Sequence, residues 1–553
     1  MAERPTPTRP PDEAIIWLDY ATGQGIDPAG QAVSPVLGGR RKHPNLHDLI
    51  ETARYARATR LILCGQFPTG WSWLLPTETQ IAKGVDLTPG WTDVGHYLGD
   101  PPRGRFRHDE TQHRLTVSTT AEWFGEMELT PTQAEFSYKT LTSVIALAID
   151  RPDWGLMRSP SAQGLNVWKQ RFDGVRDFEM EPIPREIGEL IQATEPQHRS
   201  EHYVDGPGRC DCGNCPALMS SDDLPGFAYA DGRFMFHGVA TGLVGSAPAT
   251  MLTGPQAEAL FTSGKPTSPS LHQGAFLPAR YRVRYTIPEH WDHLGIFPIK
   301  LPGAGRGWHW PNRPGFTGEA WVNAIELRAA ITEADYRIEF LEGISFAQTN
   351  VIQPFARVIT KMLKDLDNRL AAGVIGLGAH QAVSGAIKHM FRVTIGSFSR
   401  RSRNTTRFAA TFEQVSPHAV GPVRPAANGG YVYQVPSKGR PDDAETWHPE
   451  IAALLWGAAR TRVLRYSPPR ASHVYGALQI DPNQLIGIQG DAIYTTTPEQ
   501  WTLPEEHGGI DDGADGRIRL KGYLPGPLPA PLTIDERQKL SNQAEERGVS
   551  DVY

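Results

Sequence analysis

Near its N-terminus the chain alternates between two kinds of hydrophobic pattern. "AIIWLDY" (14–20) and "RLILCG" (60–65) are short apolar runs that read as buried strands, and "DLIETARYARA" (48–58) between them carries helical spacing. Strand, helix and strand in that order point to an α/β domain over residues 14–175. "TPTQAEFSYKTLTSVIALAI" (130–149) adds an amphipathic helix behind a Thr cap. Further on, "GEAWVNAIELRAAITEADYRIEFLEGISF" (318–346) reads as helix and then strand. At 553 residues the chain is long enough for roughly three or four domains. Its 55 Gly and 47 Pro predict many loops and few long uninterrupted helices.

No run of about 18 apolar residues exists, so no membrane span is expected. "MAERPTPTRPPDE" lacks the apolar core of a signal peptide, and a cytoplasmic protein is the resulting expectation. The formal net charge of −6 gives no bulk basicity for nucleic acid; any such role needs a local basic surface, for which "SFSRRSRNTTR" (397–407) and "GGRRKH" (38–43) are candidates. Four cysteines are too few for a secreted disulfide scaffold. Three of them, Cys210, Cys212 and Cys215 in "RCDCGNCP", follow His198 and His202 at metal-ligand spacing. Cys210, Cys212, Cys215 and His202 are therefore a candidate structural Zn²⁺ set, the alternative being a reduced, exposed loop.

The stretch "LIGIQGDAIYTTTP" (485–498) reads as two short strands joined at Gly490-Asp491. Asp491 is either a turn residue or a carboxylate held at a hairpin tip for a metal. Two other segments bear on the choice. In "YADGRFMF", Asp231 follows a short strand and Phe236 lies five residues on. In "GAIKHMFRVTIGSF", helical spacing puts Gln381, Ser384 or Gly385, Lys388 and Arg392 on a polar face, with Val383, Ile387 and Phe391 on another. A Lys and an Arg presented together suit phosphate. Two carboxylates on neighbouring strands, with metals about 3.5–4 Å apart, suit two-metal phosphoryl transfer. If Asp491 is only a turn residue, the chain is a zinc-stabilised α/β enzyme of other chemistry, and Asp231 and Asp491 lie apart.

In order and spacing these segments resemble a family B DNA polymerase, most like the small protein-primed branch of phages and mobile elements. Motif A of that family, Asp with Tyr five residues later, is matched by Asp231 and Phe236. Motif B, Lys-x3-Asn-x2-Tyr-Gly, is matched at Lys388 and Gly396, with Arg392 and Ile395 in place of the Asn and Tyr. Motif C, Tyr-x-Asp-Thr-Asp-Ser, is matched at its second Asp by Asp491, while Gln489 holds the first Asp position. The late Lys-x-Tyr motif is matched by Lys521 and Tyr523, and "WVNAIELRAA" resembles the Thr-x2-Glu-Leu stretch between motifs A and B. The likeness covers about residues 225–525. "IIWLDYATG" sits where an exonuclease motif Asp-x-Glu belongs, but Ala21 follows Asp19 in place of the Glu, and Asp150 lacks the flanking pattern of a later motif. "SPSAQGLNVWKQRF" (159–172) resembles the segment just after that domain.

The resemblance implies α/β and α+β domains: a degenerate RNase H-like exonuclease domain, then a right-hand palm with helical fingers and a reduced thumb. The implied division begins with a disordered tail (1–13), an inactive exonuclease-like domain (14–175) and a linker with the zinc element (176–222). A first palm segment with an insertion (223–353) and fingers (354–410) follow. A second palm segment with the catalytic hairpin (411–525) and a reduced thumb or tail (526–553) complete it. The resemblance implies a template-directed DNA polymerase without proofreading and of low processivity, serving replication of a phage or mobile element. Two Mg²⁺ or Mn²⁺ ions would sit on Asp231, Asp491 and the Gly232 backbone. Lys388, Arg392 and Phe236 would meet the nucleotide, and Lys521 and Tyr523 the primer. Partners would be a DNA primer–template, dNTPs, and a terminal protein or accessory clamp. The alternative is a catalytically silent polymerase-like protein acting in DNA binding or replication assembly.

Overall fold

The computed structural model describes residues 14–35, 37, 43–65, 88–97, 103–173, 181–204, 215–220, 223–242, 245–268, 271–300, 307–347, 350–400, 404–409, 411–417, 419–425, 431–436, 446–467, 473–549 and 552. The chain divides into two compact units, residues 1–176 with 357–446, and 177–356 with 447–553.

The first unit is built on a seven-stranded mixed sheet. Strands β1 (Ile15–Asp19), β2 (Arg60–Cys64) and β3 (Arg114–Thr119) are parallel neighbours at its centre, and antiparallel strands extend both edges. Helix α1 (Leu46–Tyr55) lies between β1 and β2 in the chain, its start fixed by a reciprocal cap between Asn45 and Asp48. Alternation along β1 sends Ile16 and Leu18 into the core with Leu49, Ile50 and Ala53 of α1. Trp17 points the other way, 5.3 Å from the Tyr138 ring of α2 (Pro131–Ile149). The first unit also contains α3 (Pro160–Asp173) and the long helix Leu377–Phe398, in contact through the Trp168 and Phe398 rings at 4.8 Å. Residues 357–446 thus belong to the same compact unit as 1–176. Three antiparallel strands in this stretch, Asn404–Ala409, Val420–Pro425 and Tyr431–Pro436, are an addition to the sequence-based expectation. Residues 38–42 and 401–403 of the two basic stretches lie outside the described residues.

Among the described residues, the second unit holds a four-stranded and a five-stranded antiparallel sheet and two short two-stranded ones. In the four-stranded one, Thr317–Asn323 pairs with Ala279–Thr286. "GEAWVN", read from sequence as the start of a helix, is therefore strand. Its Trp and Val fit a pleated surface, and the helix begins only at Ala324, where Asn323 and Glu326 form its cap. The five-stranded sheet contains β4 (Ser200–His202), β5 (Leu224–Gly232), β6 (Leu485–Gln489), β7 (Ala492–Thr495) and β8 (Ile518–Leu528), in spatial order β8-β5-β7-β6-β4 and antiparallel throughout. Helix α4 (Met235–Ala240) follows β5, and α5 (Pro449–Leu464) is buried along most of its length. The C-terminal helix α6 (Ile534–Arg547) lies against the sheet, and its Ala544 joins Phe227, Ile486, Ala492 and Tyr494 in one cluster. Full burial of a side chain such as Phe227 or Ile486 stabilises by about 1.5–3 kcal/mol. Among the described residues, no helix is long and apolar enough to cross a membrane.

Candidate active site

Alternation along β5 puts Phe227, Tyr229 and Asp231 on one face of the five-stranded sheet. Register places Asp231 opposite Ala492 of β7 and opposite Arg519 of β8. The β6–β7 turn is made by Gly490, at φ +65°, and Asp491, and a left-handed residue there favours glycine. The turn is tied at both sides: the Gly490 N–H donates to the Arg199 carbonyl at 2.7 Å, and the Gly232 N–H donates to the Asp491 carbonyl at 3.2 Å. Gly232 also leaves room for the Asp491 side chain. A β-carbon at 232 would stand 2.8 Å from Asp491 Oδ2 and 3.1 Å from its Cβ. The Asp491 side chain therefore lies against Gly232, the residue that follows Asp231 in the chain.

Burial holds the Asp231 carboxyl above its ordinary range. Lys521, the Gly232 amide and Arg519 oppose that shift, and Glu545 reinforces it. Tyr229 and Tyr494 stack at 5.4 Å on the same face. Burial, with Asp231 and Asp491 adding to it, raises both phenols. Helix α6 supplies two charged groups. Glu545 pairs with Lys521 at 2.7 Å. Arg537, fully buried, donates to Gln489 Oε1 at 3.1 Å and to the Glu201 carbonyl, and its guanidinium stands 4.6 Å over the Tyr494 ring. After Asp231 the backbone is strained: Phe234 sits at φ 45°, ψ 51°, a conformation that costs a side-chain-bearing residue about 1–2 kcal/mol. Its ring stacks on His237 at 4.8 Å, and His237 is held by Asp515 at 2.7 Å and the Ala356 carbonyl at 2.9 Å. This turn leads directly into α4, where Phe236 is half-buried.

The other residues singled out from sequence fall in different surroundings. Lys388 and Arg392 are exposed, with Gln381 and Gly385, on the helix Leu377–Phe398 of the first unit, while Val383, Ile387 and Phe391 are buried. Arg392 reaches His389 at 3.2 Å. Lys521 and Tyr523 lie on β8, and Tyr523 packs against the cluster of Ala228, Leu503 and Leu520. Cys210 and Cys212 lie outside the described residues. Cys215 Sγ is 3.3 Å from Nε2 of His309. His202 is buried, its Nε2 donates to the Pro531 carbonyl at 2.8 Å, and burial pushes its imidazole down to about 4. Among the described residues no group of three His, Cys, Asp or Glu side chains converges as a metal set. In the first unit, Asp19 Oδ1 accepts from the Ala21 and Thr22 N–H groups at 3.1 and 2.8 Å and from the Thr22 hydroxyl at 2.8 Å. That carboxylate oxygen is engaged by its own turn.

Arg519 and Glu545 beside Asp231, and Arg537 beside Gln489, escape a reading of the sequence alone. Arg519 is signalled only by alternation with Lys521 on one strand. Glu545 and Arg537 have no local signal, because only the docking of α6 brings them to the sheet.

No protein-family model matches the sequence, and a search of curated proteins gives no match. Solved structures do match. Phi29 DNA polymerase in an orthorhombic crystal form has TM-score 0.51 at 10% identity, over 92% of this chain and 85% of the other. Phi29 DNA polymerase complexed with primer–template DNA has TM-score 0.52 at 10% identity, over 93% and 85%. The chain shares the fold of phi29 DNA polymerase. The likeness spans both units, so this mixed α/β architecture is common to nearly the whole of each chain.

Proposed function

We propose that the chain is a template-directed DNA polymerase. The observation that carries the reading is Asp231 near the end of β5 and Asp491 in the turn that leads into its neighbour β7, with the Asp491 side chain against Gly232. The donor set suits hard divalent cations: two carboxylates, with the Gly232 carbonyl as a third oxygen. Asp231, Asp491 and Gly232 would hold Mg²⁺ or Mn²⁺. When bound, such ions activate a primer 3′-hydroxyl and offset charge on the leaving pyrophosphate. The chain's own residues orient the reactants. Lys388 and Arg392, cations on an exposed helix face of the first unit, would be the triphosphate contacts that the likeness to motif B implies. Phe236 packs beside the sugar and selects against a 2′-hydroxyl, so the substrate is a dNTP. Lys521 meets the primer backbone and Tyr523 supports it.

In this reading the five-stranded sheet is the palm, and the N-terminal sheet is an exonuclease-like domain without proofreading. Asp19 is engaged by its own turn, and Ala21 stands where a second carboxylate is needed. Helix α6, which follows β8, docks on the sheet rather than standing away from it as a thumb. Duplex binding then rests on salt-sensitive phosphate contacts, and processivity is low. A clamp or terminal protein would compensate, and a phage or mobile element would be the replicating context. One observation favours a second reading, a silent polymerase-like DNA-binding protein: Gln489 is neutral and engaged by the buried Arg537. Extension of a labelled primer–template separates the two. The native protein is expected to extend it with dNTPs and Mg²⁺ or Mn²⁺, and to stop when EDTA is added. Binding of the same DNA without extension under either metal would favour the silent reading.

A further inference from the structure

Lys521 already has an anionic partner from within the chain. Its Nζ lies 2.7 Å from Glu545 Oε1 near the C-terminal end of α6. The contact is placed by backbone packing. Gly522 has no side chain where α6 arrives, since a β-carbon there would stand 1.8 Å from the Ala544 carbonyl oxygen. The Tyr523 N–H donates to the Gly548 carbonyl at 3.2 Å, so the end of α6 is fastened to β8 directly beside the pair. Further along α6, Arg537, Ser541 and Ala544 are buried, which holds the rest of the helix to the sheet. The helix is thus fixed while the Glu545 side chain is half exposed, at 52%, against 22% for Lys521. Glu545 can swing into solvent without lifting the helix.

We propose that Glu545 is a built-in competitor of the primer phosphate for Lys521. The inference rests on the polymerase reading, in which Lys521 is a primer contact, and adds the residue that sets the affinity of that contact. A phosphate oxygen and a carboxylate oxygen seek the same ammonium donors, so DNA must displace Glu545 to reach Lys521. Exposed ion pairs are weak, which makes this a shallow gate that tunes affinity rather than a block. The competition also confines the gain from Lys521 to a ligand that brings phosphate to β8.

The test is a double-mutant cycle on equilibrium binding of a fluorescent primer–template at low salt, using the full chain. Glu545→Gln is expected to tighten binding by about two- to fivefold, and Lys521→Gln to weaken it. In the Lys521→Gln background the Glu545→Gln gain is expected to disappear. Both side chains are partly exposed, and a thermal melt of each variant checks that the fold is kept. Unchanged or weaker binding by Glu545→Gln overturns the proposal. So does an equal gain with and without Lys521, because general charge removal would then account for it. Binding by the native protein that is indifferent to both residues leaves the polymerase reading standing and removes only the gate. No binding of primer–template by the native protein or any variant overturns the polymerase reading itself.

Discussion

Asp491→Asn and Asp231→Asn are each expected to lower primer extension by about a thousandfold or more. A metal-assisted step takes several kcal/mol of charge stabilisation from its ions, and each 1.36 kcal/mol is tenfold in rate. The Asp231 variant is also expected to be more stable than the native protein in EDTA at neutral pH. Asp231 is held above its ordinary carboxyl range chiefly by burial. A carboxyl raised in the folded state contributes most stability while protonated, below its unfolded value, and that contribution is lost as pH rises through the folded value. Ionising Asp231 in the folded chain therefore carries a cost that asparagine does not. The advantage of the variant should grow as pH rises through that window and vanish in acid. Added Mn²⁺ should raise the melting temperature of the native protein and leave that of the variant unchanged. Thermal melts with EDTA or Mn²⁺ at several pH values, beside single-nucleotide incorporation rates, check both halves. Gain of stability with loss of activity marks a residue kept for function rather than for folding.

Arg460→Met is expected to destabilise the second unit by about 3–5 kcal/mol, the cost of leaving a buried charge without its partner. Arg460 lies on α5 with only 4% of its side chain exposed. Its guanidinium reaches Glu195 at 2.6 Å and Glu326 at 2.8 Å, and it also donates to the Pro196 carbonyl. Arg280, with no exposed side-chain surface, pairs with Glu195 at 2.8 Å, and the N–H groups of Asn323 meet Glu326 at 3.0 and 2.9 Å. Two buried cations balance two buried carboxylates. Removing Arg460 leaves two carboxylates facing one cation, and burial already pushes Glu195 upward with its partners in place. Urea unfolding should show an early transition in the variant. Arg460→Lys keeps the charge but not the forked geometry, and should fall between the two. A midpoint equal to the native one would mean that the cluster does not hold these elements together.

What the sequence makes legible is local. The turn at Gly490-Asp491 can be read because a glycine between two β-rich runs has few other uses, and "FAYAD" shows its alternation plainly. The two faces of the helix Leu377–Phe398 follow from spacing, with Val383, Ile387 and Phe391 inside and Lys388 and Arg392 outside. What escapes depends on contacts distant in sequence. The tail 534–547 reads as a polar helix, yet it docks through Arg537, Ser541 and Ala544 at helical spacing. No long hydrophobic stripe announces that face, because Arg537, which stands over Tyr494 and donates to Gln489, shares it with only Leu540 and Ala544 of the apolar cluster. Gln489 itself looks like a lost carboxylate. In the folded chain it is the acceptor for a buried arginine, where a second ionised group would alter the charge beside Asp491. The helix cap at Asn323 shows the same limit at short range: "GEAWVN" is compatible with a helix until its partner strand is known.

The measurement that tests the central claim most directly is Mn²⁺ binding, read from the electron paramagnetic resonance of the free ion. The titration uses the native protein with primer–template, a dideoxy-terminated primer and the complementary dNTP, beside Asp231→Asn and Asp491→Asn under the same conditions. The account predicts saturable Mn²⁺ binding by the native complex and its loss in each variant while DNA is still bound. Equal Mn²⁺ binding by all three proteins, or none by the native complex, would contradict it and return Asp491 to the role of a turn residue.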